Sequence, residues 1–268
     1  MRPRSSRAAH SAGLAAALAL VACGTPTVQQ EQGLGDQFLL DVKREVDLFT
    51  EAVVVSYVEQ IGRAVLRASP PQPFEFHFYV VEDEEINAFA GPAGHVFVNT
   101  GTILKARNLS ELSGVIAHEI GHVAERHVAE NIPRRRAAGI LHTLGVLTAG
   151  LLAGPYAANA ADLGGGLAAM AVINTFGREA EREADSFAVD ALVRAGIDPS
   201  GLVTFFELLA REGGRGVPKF LSSHPAPADR IDDTRRQIEA LGPRPGLRAT
   251  DGGRLEIIQR RIKLLTRR

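Results

Sequence analysis

GVIAHEIGHVAERH, residues 114–127, sets His118 and His122 one helical turn apart in an otherwise apolar run. Residues four apart lie above each other on a helix, so the two imidazoles turn to one side and can grip a single metal ion. Glu119 falls beside the coordination position that a catalytic zinc leaves open. There it can act as general base toward a water that zinc acidifies to a pKa of about 7. Leu112, Val115, Ile116, Ile120 and Val123 make the segment apolar enough for a core helix. Two imidazoles and a carboxylate buried in such a helix need a partner, and a metal serves. The stretch implies metal-assisted hydrolysis of the peptidase type.

A catalytic zinc keeps three protein ligands, so one more must come from elsewhere in the chain. The metzincin spacing is excluded, because it requires a glycine and a histidine where Glu125 and Val128 stand. His127, nine positions after His118, points the opposite way on an unbroken helix and reads as a surface or capping histidine. FGREAEREADSFAVDAL, residues 176–192, offers three glutamates. Glu179 shares a helical stripe with Arg182, Glu183, Ser186 and Asp190, a solvated face. Glu181 shares its stripe with Ala184, Asp185, Ala188 and Leu192, which turns inward. Glu181 is therefore the expected third ligand, and Asp185, one turn later, is placed to accept the free ring N–H of a ligand histidine. The competing reading is a charged helix whose Glu and Arg side chains pair along its surface.

NAFAGPAGHVFVNTG at 87–101, HEIGHVAERH at 118–127, EREAD at 181–185 and SHPAPADRI at 223–231 occur in an order that resembles the M48 family of zinc peptidases. The resemblance spans residues 34–242. It implies an α+β fold: a mainly helical, gluzincin-like zincin domain with a small antiparallel sheet beside the active-site helix. It also implies one Zn2+ per chain, and it matches Glu181 and Asp185 to the family's glutamate ligand and the aspartate behind it. By the same resemblance His224 lies near the metal. It then either donates to the oxyanion of a tetrahedral intermediate or swings onto the zinc as a fourth ligand that holds the enzyme inactive. Arg230 matches the family's arginine and is expected to hold an internal carboxylate. Asn87, Ala88 and Phe89 are expected along the substrate backbone.

FEFHFYVV, residues 74–81, alternates Phe74, Phe76, Phe78 and Val80 against Glu75, His77, Tyr79 and Val81, the period of a strand. A turn with Gly91, Pro92 and Gly94 separates NAFA from HVFVNT, which predicts two short antiparallel strands. An edge strand beside a zinc cleft can bind an extended polypeptide through its main chain. DQFLLDVKREVDLF (36–49) and EAVVVSYVEQIGRAVLRAS (51–69) carry helical patterns that should pack around the active-site helix. In 134–173, Arg134, Arg135 and Arg136 precede AAGILHTLGVLTAGLLAG, whose length is borderline for a membrane span. A helical hairpin covering the cleft is expected there, with a membrane-inserting or interfacial role as the competing reading. His142 within it reads as a core histidine. RLEIIQRRIKLL, near the end of the chain, reads as one amphipathic helix.

At the N-terminus, Arg2, Arg4 and Arg7 precede the apolar AGLAAALALVA, the layout of a secretory signal peptide. The run ends in LVAC, residues 20–23, a bacterial lipobox in which Cys23 becomes the lipidated first mature residue. Cys23 is the only cysteine, so no internal disulfide is possible. Gly24 follows, with no aspartate to direct inner-membrane retention, so in a two-membrane bacterium the expected address is the periplasmic face of the outer membrane. The organisation reads as signal peptide 1–22, lipidated polar tether 23–33, peptidase domain 34–242 and tail helix 243–268. Removing three arginines with residues 1–22 leaves 27 basic against 31 acidic residues. No basic patch suggests nucleic acid. The expected partners are polypeptides, above all unfolded envelope proteins, and the membrane through the N-terminal lipid. The competing classes are a chaperone or scaffold lipoprotein with a closed zinc site, and a zinc hydrolase acting on something smaller than a protein. The intact Glu119 favours an enzyme, because holding zinc requires no general base.

Overall fold

The structure is a computed structural model that describes residues 25–133, 176–212, 220–221, 224 and 227–266. The expected signal peptide, Cys23 and the 134–173 segment with His142 lie outside the described residues.

Helix α1 (Val28–Glu45) begins at Thr27, whose side chain accepts from the Gln30 amide while the Gln30 side chain accepts from the Thr27 amide. This reciprocal cap satisfies two orphan donors and starts the helix firmly. Residues 28–33 are therefore helical rather than tether. Glu31, Gly35, Phe38 and Val42 form the buried stripe of α1. Helix α2 (Ala52–Arg67) follows, with Val54, Tyr57, Val58, Ile61, Gly62 and Val65 buried.

Strands β1 (His77–Val81), β2 (Ala88–Ala90) and β3 (His95–Asn99) form one sheet in the order β1-β3-β2. β2 pairs antiparallel with β3, with Phe89 opposite Phe97. β1, however, pairs parallel with β3, with Phe78 beside Val96, so the sheet is mixed rather than antiparallel. Alternation tells which face a residue takes; it does not tell which edge of a hairpin a third strand joins. The turn between β2 and β3 places Ala93 at φ 57° and Gly94 at φ 91°. A Cβ on Gly94 would come 2.5 Å from the Glu75 carbonyl oxygen, so both conformation and space require glycine there. One sheet face, with Phe78, Val80, Ala88, Ala90, Val96 and Val98, belongs to the main core. The other carries Val81 and Phe97, which pack with Phe38 and Val42 of α1.

After the short helix α3 (Thr100–Lys105), helix α4 (Leu109–Ala124) runs through the centre of the molecule, with Leu109 through Val123 all buried. Asn108 caps it by accepting from the Glu111 amide at 2.9 Å. Each fully buried Leu, Ile or Val contributes roughly 1.5–3 kcal/mol, so this helix is the spine of the core. Helix α5 (Arg178–Arg194) lies against it. A Cβ on Gly121 would meet the Ala184 Cα and carbonyl oxygen at 3.0 Å, so glycine lets the two backbones approach. Helix α6 (Ser200–Glu212) packs on α4, and α7 (Pro227–Ala240) packs on both α5 and α6.

Helix α8 (Arg254–Leu265) is the amphipathic helix expected near the chain's end. It is no separate tail: Leu255, Ile258 and Ile262 join the main core. Gln259 donates to the carbonyls of Ile103 and Ala106, at 2.9 and 2.7 Å. No helix among the described residues is long and apolar enough to cross a membrane.

Candidate metal centre

α4 turns His118 and His122 to the same side, α5 brings Glu181 up to them, and His224 closes the group; all four are fully buried. One ligand atom from each lies within 4.8 Å of all the others. Nε2 of His118 and Nε2 of His122 are 3.0 Å apart, and His224 Nδ1 lies 3.2 Å from the former and 2.9 Å from Glu181 Oε1.

The ring hydrogens follow from the outer contacts. His118 Nδ1 is 2.8 Å from Asp185 Oδ1, a carboxylate that can only accept, so the neutral ring carries its proton on Nδ1 and turns its Nε2 lone pair to the centre. Arg230 clamps the same aspartate in two hydrogen bonds of 2.7 Å and lies 2.5 Å from Glu181 Oε2, a close pair that lacks hydrogen-bond alignment. Its guanidinium also rests 4.5 Å over the Phe206 ring. Arg230 thus lies against two buried carboxylates, and Asp185 holds His118.

His127 departs from expectation. It is 4 % exposed, with Nδ1 3.1 Å from His122 Nδ1 and Nε2 2.8 Å from Glu183 Oε2. On one continuous helix it would point away from His118, but the chain breaks at Arg126, where φ is +61°, and residues 127–133 start a new helical segment. Arg126 is held in that conformation by buried Glu31, at 2.9 Å, and by the Pro26 carbonyl, at 2.6 Å. Glu183 likewise does more than line a solvated face, although it is half exposed. Phe176, stacked 3.8 Å from the His122 ring, and Phe220, stacked 4.4 Å from His224, were not singled out in the sequence. The one available signal was an aromatic placed directly before the Glu181 helix.

Electrostatics agree with a cation site. Burial opposes charge on His118, but the hydrogen bond and attraction from Asp185, with help from Glu181, outweigh it and push its pKa up to about 9. Burial and the neighbouring His118 hold His122 well below the usual histidine range. Burial also works against the Glu181 carboxylate, yet His224, His118 and Arg230 hold its pKa far below the carboxylate range. Glu119 goes the other way, raised chiefly by burial. Neither of its oxygens has a hydrogen-bond partner among the described residues, and His224 Nε2 stands 3.4 Å from one of them.

Lone pairs converging at 3 Å with a carboxylate beside them call for a shared cation. Three imidazoles and one carboxylate in a compact, buried set suit zinc. The cluster can hold one such ion.

Of the residues expected at the substrate, Asn87 is buried, and its backbone N–H and carbonyl are both bound to the Thr102 hydroxyl. Ala88 lies on edge strand β2, which packs along α4. The Phe89 side chain turns to the opposite face, stacked 4.7 Å from Phe97. The period of two sends it toward α1. With Gly91 N–H donating to His95 and Asn99 N–H to Asn87, the main chain of Phe89 pairs with Phe97, and it is Ala88 and Ala90 whose main-chain groups point to the edge.

The description "Peptidase family M48" matches residues 54–238. The beta-barrel assembly-enhancing protease of Yersinia pestis is 33% identical over 233 residues, 85% of this chain and 48% of that protein. Its counterpart in Escherichia coli is 31% identical over 224 residues, 82% of this chain and 46% of that protein. Metalloprotease LoiP of Escherichia coli is 33% identical over 172 residues, 64% of this chain and 65% of that protein. The chain thus spans about half the length of the assembly-enhancing proteases it matches. The matched span holds α4, α5 and every residue of the buried cluster, and on that extent of likeness the chain belongs to peptidase family M48.

Proposed function

We propose that the chain is a zinc metalloendopeptidase of the bacterial cell envelope that cleaves misfolded or misassembled envelope proteins. The observation that carries the catalytic reading is Glu119: a fully buried carboxylate, neither oxygen hydrogen-bonded among the described residues, next to a set of converging metal donors. A buried polar group without a partner costs free energy, so its presence points to a reacting molecule that it meets. When bound, zinc would acidify a water and stabilise negative charge on a polarised carbonyl. Glu119, its proton affinity raised by burial, takes the proton of the attacking water and returns it to the leaving amine. Edge strand β2 supplies main-chain groups for an extended polypeptide, a mode that selects conformation more than sequence.

Glu119→Gln keeps size and polarity and removes the base. Zinc content near one per chain is expected to survive, with turnover of an unfolded polypeptide down by roughly 10²–10⁴. Undiminished proteolysis would sink the mechanism.

The envelope location rests on the N-terminal signal and on Cys23 as lipid anchor. Cys23→Ser should leave the protein soluble after cell fractionation, and normal membrane association of that variant would contradict the anchor. A second reading, a site closed at rest, is favoured by the place of His224 Nδ1 inside the donor ring, 2.9 Å from Glu181 and 3.2 Å from His118.

A further inference from the structure

His118 and His122 face the same centre, and each must present its Nε2 lone pair there. Asp185 secures the first directly. For the second, the buried contact is another histidine. His127 Nε2 lies 2.8 Å from a Glu183 carboxylate oxygen, which can only accept, so a neutral His127 carries its proton on Nε2. Its Nδ1 is then a lone pair, and at 3.1 Å from His122 Nδ1 it accepts the His122 ring proton. That leaves the His122 Nε2 lone pair aimed inward. Phe176, stacked flat on the His122 ring, removes the remaining freedom to tilt.

We propose that His127 is a positioning residue, which with Glu183 forms a relay that fixes His122 as the Nδ1–H tautomer and so sets its orientation as a metal ligand. α5 then supplies three acidic groups to one site: Glu181 as ligand, Asp185 behind His118, and Glu183 behind His122 through His127. The relay exists only because the chain breaks at Arg126 and returns His127 toward α4. Groups that orient a metal-bound histidine contribute about 10–100-fold in metal affinity.

The inference rests on the metal reading of His122, and the test keeps the two apart. Zinc affinity is measured by competition with a chromogenic chelator for the wild-type protein, His127→Phe and His127→Asn. Phenylalanine fills the space without an acceptor; asparagine places its side-chain oxygen near the position of Nδ1. The expected result is a zinc Kd weakened about 10–100-fold in His127→Phe and largely restored in His127→Asn. Equal affinity of a folded His127→Phe protein and the wild type overturns the proposal. So does an asparagine variant as weak as the phenylalanine one, which would make His127 a packing residue. Long-range proton–nitrogen NMR of the metal-free wild type gives a readout that no variant's folding can obscure. A His122 ring protonated on Nδ1 supports the relay, and one protonated on Nε2 overturns it. A wild-type protein that binds no zinc contradicts the metal centre itself, while the ring NMR still decides the relay.

Discussion

The acidic residues of EREAD and its flank have four different fates within seven positions of one helix. Glu179 is exposed and stays near Arg182. Glu181 faces the metal donors, Glu183 reaches His127, and Asp185 holds His118 while Arg230 holds Asp185. Helical phase alone separates the first two, which is why Glu181 was legible in the sequence. His224 could be placed near the metal but not given a role, since both roles need it close. The distances favour a ligand at rest: Nδ1 sits among the donors while Nε2 stands over Glu119. His224→Ala should then raise basal turnover of a peptide substrate at full zinc occupancy. A loss of roughly 10²–10³ instead would assign the residue to the oxyanion.

At the level of elements, α5 and α8 could be read from periodicity because each buries a continuous stripe, and α4 from an apolar run that is buried on every side. The break after α4 could not. Arg126 is locked by Glu31, 95 residues earlier in the chain, and no local pattern records so distant a contact. The parallel pairing of β1 was hidden for the same reason, since neighbours across a sheet are chosen by the whole fold. The sheet also makes a pH prediction. His95, at the start of β3, is pushed down to about 4, first by burial and then by the nearby His77 and Lys43, with Asp36 opposing. Unfolded, the ring titrates near 6.5. Its folded pKa is the lower one, so the unfolded chain binds more protons between these values. Stability is therefore intact above about pH 6.5 and falls as the pH drops toward 4, by at most about 3 kcal/mol from this residue. Urea midpoints measured from pH 7 downward should fall less steeply for His95→Gln than for the wild type. Parallel slopes would show that His95 takes up its proton equally in the folded and unfolded chain, against the lowered value.

For the molecule as a whole, one buried helix ties the functional parts together. α4 carries His118, His122 and Glu119, β2 lies along it, α5 brings Glu181 to it over Gly121, and the turn that follows it binds the start of α1 through Arg126. Pro26, whose carbonyl Arg126 grips, is three residues from Cys23, a reach of at most about 11 Å. A lipid on Cys23 would therefore hold the catalytic body close against the membrane surface, in place of the longer tether that composition suggested. A single zinc ion held by His118, His122 and Glu181 and used for proteolysis can be checked by metal analysis beside digestion of an unfolded polypeptide, for the wild type, Glu181→Ala and Glu179→Ala. Near one zinc per chain and full turnover are expected for the wild type and Glu179→Ala, and loss of both for Glu181→Ala. A Glu181→Ala protein that keeps its zinc and its turnover would contradict it.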